Sequence, residues 1–93
     1  SEDFPQYPTA EIAKFSPKSG RLLAIVDKEG VHVIDVNEKK IVFKIDCPGI
    51  ASLEWSPREA YLIGCEKNIQ NPNKNILNVW ETTKGTLVRK FDW

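Results

Sequence analysis

One histidine, two cysteines and a scatter of carboxylates are the only residues in this chain with obvious chemical potential, and their spacing decides little in favour of catalysis. His32 stands between Val31 and Val33, so its simplest role is a strand residue on a polar or inter-sheet face. A zinc or iron site needs several His, Cys, Asp or Glu donors converging on one point. Cys47 and Cys65 form no Cys-x-x-Cys. Cys65 aligns with the apolar Ile25 in an internal repeat described below, which predicts a buried thiol. Cys47, beside Pro48-Gly49, reads as a loop residue. Asp35 and Glu81 hold equivalent repeat positions. Acids repeated in this way are expected to accept hydrogen bonds from turn amides rather than to share a substrate. No nucleophile elbow, phosphate loop, Gly-x-Gly-x-x-Gly or His-Glu-x-x-His occurs. A lone histidine removes most acid–base designs. The chain is therefore read as a non-enzyme without a cofactor.

The elements that carry these residues come in two copies. Ala13–Asp27 reads "AKFSPKSGRLLAIVD" and Leu53–Glu66 reads "LEWSPREAYLIGCE". Phe15-Ser16-Pro17 lies over Trp55-Ser56-Pro57 at an offset of 40 (55 − 15), which places Leu22 over Leu62 and Leu23 over Ile63. Further on, Val33-Ile34-Asp35 lies over Val79-Trp80-Glu81 at an offset of 46 (79 − 33). About six extra residues therefore belong within Glu66–Asn75. A period in this range suits propeller blades.

Each copy holds four short runs rich in β-branched and aromatic residues: Ile12–Phe15, Leu22–Val26, Val31–Val36 and Ile41–Ile45, then Ala51–Trp55, Tyr61–Cys65, Ile76–Trp80 and Leu87–Phe91. Polar turns separate them, and no stretch shows sustained helical spacing. The reading is all-β: two four-stranded antiparallel meanders, WD-like β-propeller blades, a fragment of a larger propeller. Residues 1–8 are a lead-in, 9–46 the first blade and 47–93 the second. In "IVFKI", Ile41, Phe43 and Ile45 are expected on one face and Val42 and Lys44 on the other. "LLAIV" is apolar on both faces, as suits a strand covered on two sides. Trp55 and Trp80 align with Phe15 and Ile34, so packing is expected of them rather than base stacking. Two such sheets share one interface and are expected to leave two outer faces wet, to be covered by more blades or by other chains.

Composition narrows the function classes. Thirteen Lys and Arg balance thirteen Asp and Glu, and neither half carries a charged block. Charge alone therefore points to neither nucleic acid nor membrane. The longest apolar run is far too short to span a bilayer. Two cysteines fit a reducing, cytoplasmic setting. The chain lacks Met and shows no signal-peptide pattern, which reads as a processed product or an excised piece. Lys39-Lys40 falls in a hairpin turn, where a solvated tip is the simple reading.

"FSPKSGRLLAIVDKEGVHVIDV", "LEWSPREAYLIGCE" and "IQNPNKNILNVWETTKGTLVRKF" together resemble the N-terminal blades of eukaryotic translation initiation factor 2A. The carrying residues are Trp55-Ser56-Pro57, Tyr61-Leu62, the insert Asn71–Asn75, Ile76–Glu81 and Gly85–Phe91. The b subunit of initiation factor 3 is the nearest rival. Ordinary WD repeats fit less well, because they carry a Gly-His pair and a His-Asp-Ser/Thr-Trp network that His32 alone cannot supply. The resemblance implies a multi-bladed, non-enzymatic propeller. It implies association with the small ribosomal subunit, initiator methionyl-tRNA and mRNA in an alternative initiation route. A generic WD-like scaffold for protein interaction, without RNA contact, is the alternative. The insert Lys67–Lys74 is expected to be an exposed loop of the second blade, with Lys67, Asn68, Asn71, Asn73 and Lys74 as possible partner contacts.

Overall fold

Eight strands form where β-branched and aromatic residues cluster, and they end where Gly, Pro, Asp and Asn supply turn geometry. A computed structural model describes residues 10–67, 70, 71 and 73–92 of the chain. The strands are β1 (Ile12–Phe15), β2 (Leu22–Val26), β3 (Val31–Asp35), β4 (Lys40–Ile45), β5 (Ile50–Trp55), β6 (Tyr61–Lys67), β7 (Asn75–Glu81) and β8 (Leu87–Asp92). They pair as two antiparallel meanders, β1-β2-β3-β4 and β5-β6-β7-β8. These are two blades of a β-propeller, part of a larger ring. Among the described residues, no helix is long and apolar enough to cross a membrane.

The blades stack face to face. Ala24, Val26, Val31, Val33, Phe43 and Ile45 of the first blade share one core with Ile50, Leu53, Trp55, Leu62 and Trp80 of the second. β1 lies beside β5. There the Trp55 indole donates to the Lys14 carbonyl at 3.0 Å, and Lys14 pairs with Glu54 at 2.6 Å. Phe43 reaches across to the β7–β8 turn, where a Cβ on Gly85 would stand 2.4 Å from its ring.

Turn chemistry repeats with one offset. The Ser16 and Ser56 hydroxyls accept from the amides of Leu22 and Tyr61, and the Ser16 and Ser56 amides donate to the carbonyls of those same residues. The second turn is one residue shorter, and its left-handed position falls on Glu59 (φ 64°) where the first has Gly20 (φ 66°). This corrects the sequence alignment. Leu22 is equivalent to Tyr61, not Leu62; Leu23 matches Leu62, Ile25 matches Gly64, and Cys65 takes the place of Val26 rather than Ile25. The insert between β6 and β7 is accordingly one residue longer than the sequence alignment suggested.

A β-bulge falls between Val33 and Ile34, and its counterpart between Val79 and Trp80. It pairs Phe43 with Val33 but Ile41 with Ile34. Ile41 therefore does not share a face with Phe43 and Ile45, contrary to simple alternation: it is 61% exposed while both of them are buried. The extra residue of the bulge, Val42, turns the strand over at that point.

The two outer faces differ. On the first blade Leu23, Ile25 and Ile34 are buried, with Ala10 and Val36 packed against them, so that part of the face is not wet as expected. Its β1 margin is open, for Phe15 is 56% exposed where its equivalent Trp55 is buried. On the second blade Ile63, Cys65, Leu77, Val79 and Phe91 are only half-buried and Tyr61 is exposed. Their equivalents in the first blade are the residues that the second blade covers. Arg89, which replaces Phe43, lies 5.4 Å over the Phe91 ring.

Candidate functional site

His32 and Asp27 meet in a buried clasp. The imidazole Nε2 lies 3.1 and 3.0 Å from the two carboxylate oxygens of Asp27. Asp27 Oδ1 also accepts from the amides of Glu29 at 2.9 Å and Gly30 at 3.2 Å. Burial pushes the Asp27 carboxyl up, but the His32 hydrogen bond and the turn amides outweigh it and hold the group below its ordinary value.

Glu29 brings a third donor near, and Asp27, Glu29 and His32 could hold a cation, since their ligand atoms lie within 4.8 Å of one another. The donors are already engaged, however, with Lys44 at 3.6 Å from Glu29. The second blade repeats the arrangement without histidine. Glu66 replaces Asp27 and Asn78 replaces His32, bonded at 2.6 Å, with Lys90 at 3.7 Å in the place of Lys44. A short acid with a long partner becomes a long acid with a short partner. That exchange marks a structural tie on each blade.

Asp27→Ala should therefore lower stability by about 1–3 kcal/mol, because it removes the buried acceptor that His32 and two turn amides share. Glu66→Ala should cost less, since its carboxylate is more exposed than that of Asp27. The Asp27 contribution is present above its unfolded-state value and is lost as pH falls through the lower folded value. Melting curves of the complete propeller protein at neutral pH and near pH ~3 check this. The gap between Asp27→Ala and wild type should narrow in acid.

Asp35 and Glu81 close the β3–β4 and β7–β8 turns as expected. Asp35 accepts from the amides of Asn37 at 3.0 Å and Glu38 at 3.1 Å, and from Arg21 at 2.9 Å. The Glu38 amide leads in holding its carboxyl below the usual range. Glu81 accepts from the amides of Thr83, Lys84 and Thr86 and from the Thr83 hydroxyl. That hydroxyl and the Thr86 amide bring it down to about 2.

Glu59 reaches into the neighbouring blade and accepts from the Ser19 amide and hydroxyl, which holds its carboxyl low. In the sequence, Glu59 and Ser19 read only as polar residues of the two Ser-Pro turns. Their shared position in the repeated turn was the only signal of the contact.

Cys47 and Cys65 are half-buried free thiols. Burial first, then the Glu66 charge, raises the Cys47 thiol above its ordinary value, so it is a poor nucleophile. Trp55 and Trp80 are core residues, as expected. In the insert, Asn71, Asn73 and Lys74 are exposed. The Asn73 amide donates to the Asn71 side chain at 3.3 Å, and the Lys74 amide to the Asn71 carbonyl at 3.0 Å. Lys67 is the last residue of β6; its side chain and Asn68 lie outside the described residues. The described residues of the insert lie at the opposite end of the blade from the Ser-Pro turns.

No family model matches this chain, and no curated protein does. Among solved structures, the chain is similar to one described as "Crystal structure of the eukaryotic initiation factor". Identity is 29%, the TM-score 0.74, and the match covers 88% of this chain and 21% of that one. It is also similar to the β-propeller domain of the Trilobed protease from Pyrococcus furiosus, which has an open velcro topology. There identity is 18% and the TM-score 0.68, over 91% of this chain and 29% of that one. The chain thus spans less than a third of either neighbour, and the second likeness concerns the fold alone.

Proposed function

We propose that these two blades belong to a translation initiation factor of the 2A type and act as a non-enzymatic scaffold that contacts the small ribosomal subunit in the cytoplasm. Initiator tRNA and mRNA are the further partners of this reading. The observation that carries it is the 29% identity to the initiation-factor structure across 88% of the chain. The Asn-rich insert followed by "NILNVWE" at Asn75–Glu81 supports it from the sequence side. A non-catalytic role is consistent with where the titratable groups go. Asp27, Asp35, Glu66 and Glu81 face turn amides or strand partners of their own blades, and Glu59 faces a turn amide of the neighbouring blade.

A generic protein-interaction propeller is the second reading, since the overlay on a protease-associated propeller shows the same fold outside initiation factors. Sedimentation of the full-length protein with purified small subunits, with and without initiator tRNA, separates the two. Co-migration that strengthens with initiator tRNA is the expected result. No co-migration under either condition would leave only the scaffold reading.

A further inference from the structure

The meander sends the β1–β2, β3–β4, β5–β6 and β7–β8 turns to one end of the blade pair, because alternate turns of an antiparallel sheet share an end. Lys18, Lys39, Lys40, Arg58 and Lys84 stand exposed on or beside these turns. Among the described residues, none of the five forms an ion pair; the pairs are made by Lys14, Arg21, His32, Lys44 and Lys90. The acids of the same end are largely turned inward. Asp35 and Glu81 cap their own turns, Glu59 binds Ser19, and only Glu38 stays clear of turn amides.

The opposite end differs. There Lys44 faces Glu29 and Asp46, and Lys90 faces Glu66, while the exposed Lys28 and Lys74 are outnumbered by the acids Glu11, Asp27, Glu29, Asp46, Glu66 and Asp92 of that end. A chain of zero formal charge is therefore polarised end to end. A recess of about 310 Å³, lined by Ser56, Pro57, Arg58, Ala60 and Tyr61, opens at the basic end. In a longer stack the Tyr61 side of this recess faces the next blade, since Leu22, the equivalent of Tyr61, packs against the core shared with the second blade.

We infer that this turn end is the face on which the protein holds the phosphate backbone of RNA, with Lys18, Lys39, Lys40, Arg58 and Lys84 as the contacting cations. The inference rests on the translation-initiation reading and adds the surface to it. Cations without a carboxylate partner release counterions from a polyanion at little cost, which gives affinity with strong salt dependence.

The test uses the full-length protein, purified small subunits and a labelled single-stranded RNA of about 16 nucleotides, within the reach of such grooves. One variant carries Lys18→Gln, Lys39→Gln, Lys40→Gln, Arg58→Gln and Lys84→Gln. A control carries Lys28→Gln in the β2–β3 turn at the other end. Should the fivefold variant fail to fold, Arg58→Gln with Lys84→Gln replaces it. The fivefold variant should bind RNA at least about tenfold more weakly, with a salt slope reduced by about 0.7 per phosphate contact removed. The control should bind like wild type. Equal RNA binding by the turn-end variant and wild type overturns the inference and leaves the initiation reading standing. So does wild-type binding to small subunits without any binding to free RNA. Loss of both activities in wild type overturns the reading and the inference together.

Discussion

Gly30→Ala should unfold the first blade. Gly30 sits at φ 145°, and a Cβ there would stand 2.1 Å from the Ile45 carbonyl oxygen and 2.8 Å from the Cys47 amide nitrogen. Both neighbours are backbone, at the point where β4 leaves the sheet and the chain crosses to the second blade. Neither can swing aside as a long side chain could. The residue also accepts from the Asp27 amide at 3.0 Å, so the hairpin that carries the Asp27–His32 clasp would move with it. A cost of about 3 kcal/mol or more is expected from strain and lost turn bonds together. Gly20→Ala is the control. Its φ is 66°, but nothing lies within 4 Å of its Cβ position, so only the left-handed penalty of about 1–2 kcal/mol applies. Thermal melts of the complete propeller protein should rank Gly30→Ala well below Gly20→Ala. Equal melting points would mean that the linker does not pass so close to the β2–β3 turn.

Trp80→Ala should be nearly as damaging, for a different reason. Trp80 is 3% exposed and sits in the core between the blades. Its ring lies over Gly64, where an added Cβ would meet it at 2.6 Å. The first blade solves the same position with Ile34 beside Ile25, whose equivalents are Trp80 and Gly64. Volume has moved from one strand to the next, at similar total. Trp80→Ala alone leaves a cavity and should cost about 3–5 kcal/mol. Gly64→Ala alone overpacks the ring and should cost about 1–3 kcal/mol. Combining Gly64→Ile with Trp80→Ile, the first blade's own solution, should recover much of the loss. A strictly additive double variant would show that the two positions do not share one space.

The architecture was legible because its signals are local. Strand positions follow from β-branched runs bounded by Ser-Pro, Gly and Asn, and all eight strands lie within two residues of the segments read from sequence. The roles of Asp35 and Glu81 were legible too, since a carboxylate at a strand end finds turn amides within a few residues.

What was not legible depends on contacts between segments. A turn one residue shorter, with Glu59 taking the left-handed position in place of a glycine, shifts the true alignment without leaving a gap signal. The bulge at Val33 and Ile34 turns Ile41 over although its alternation looks regular. The buried clasps changed both partners at once, from Asp27 with His32 to Glu66 with Asn78, so no residue identity repeats. The basic end draws its cations from four turns spread across the chain, none of which is a basic run by itself.

The central claim is that these are two blades of a larger ring, stabilised by a neighbour that residues 1–93 do not supply. The second blade leaves Ile63, Cys65, Leu77, Val79 and Phe91 half-covered, whereas full burial of a large apolar side chain contributes about 1.5–3 kcal/mol. Native stabilities are only about 5–15 kcal/mol, so the shortfall is of the same order as the whole margin. Light scattering during gel filtration of the 93-residue chain, over a range of concentrations, tests this directly. The account predicts self-association that grows with concentration, through the open face of the second blade. A clean monomer with a cooperative, concentration-independent melt would contradict it.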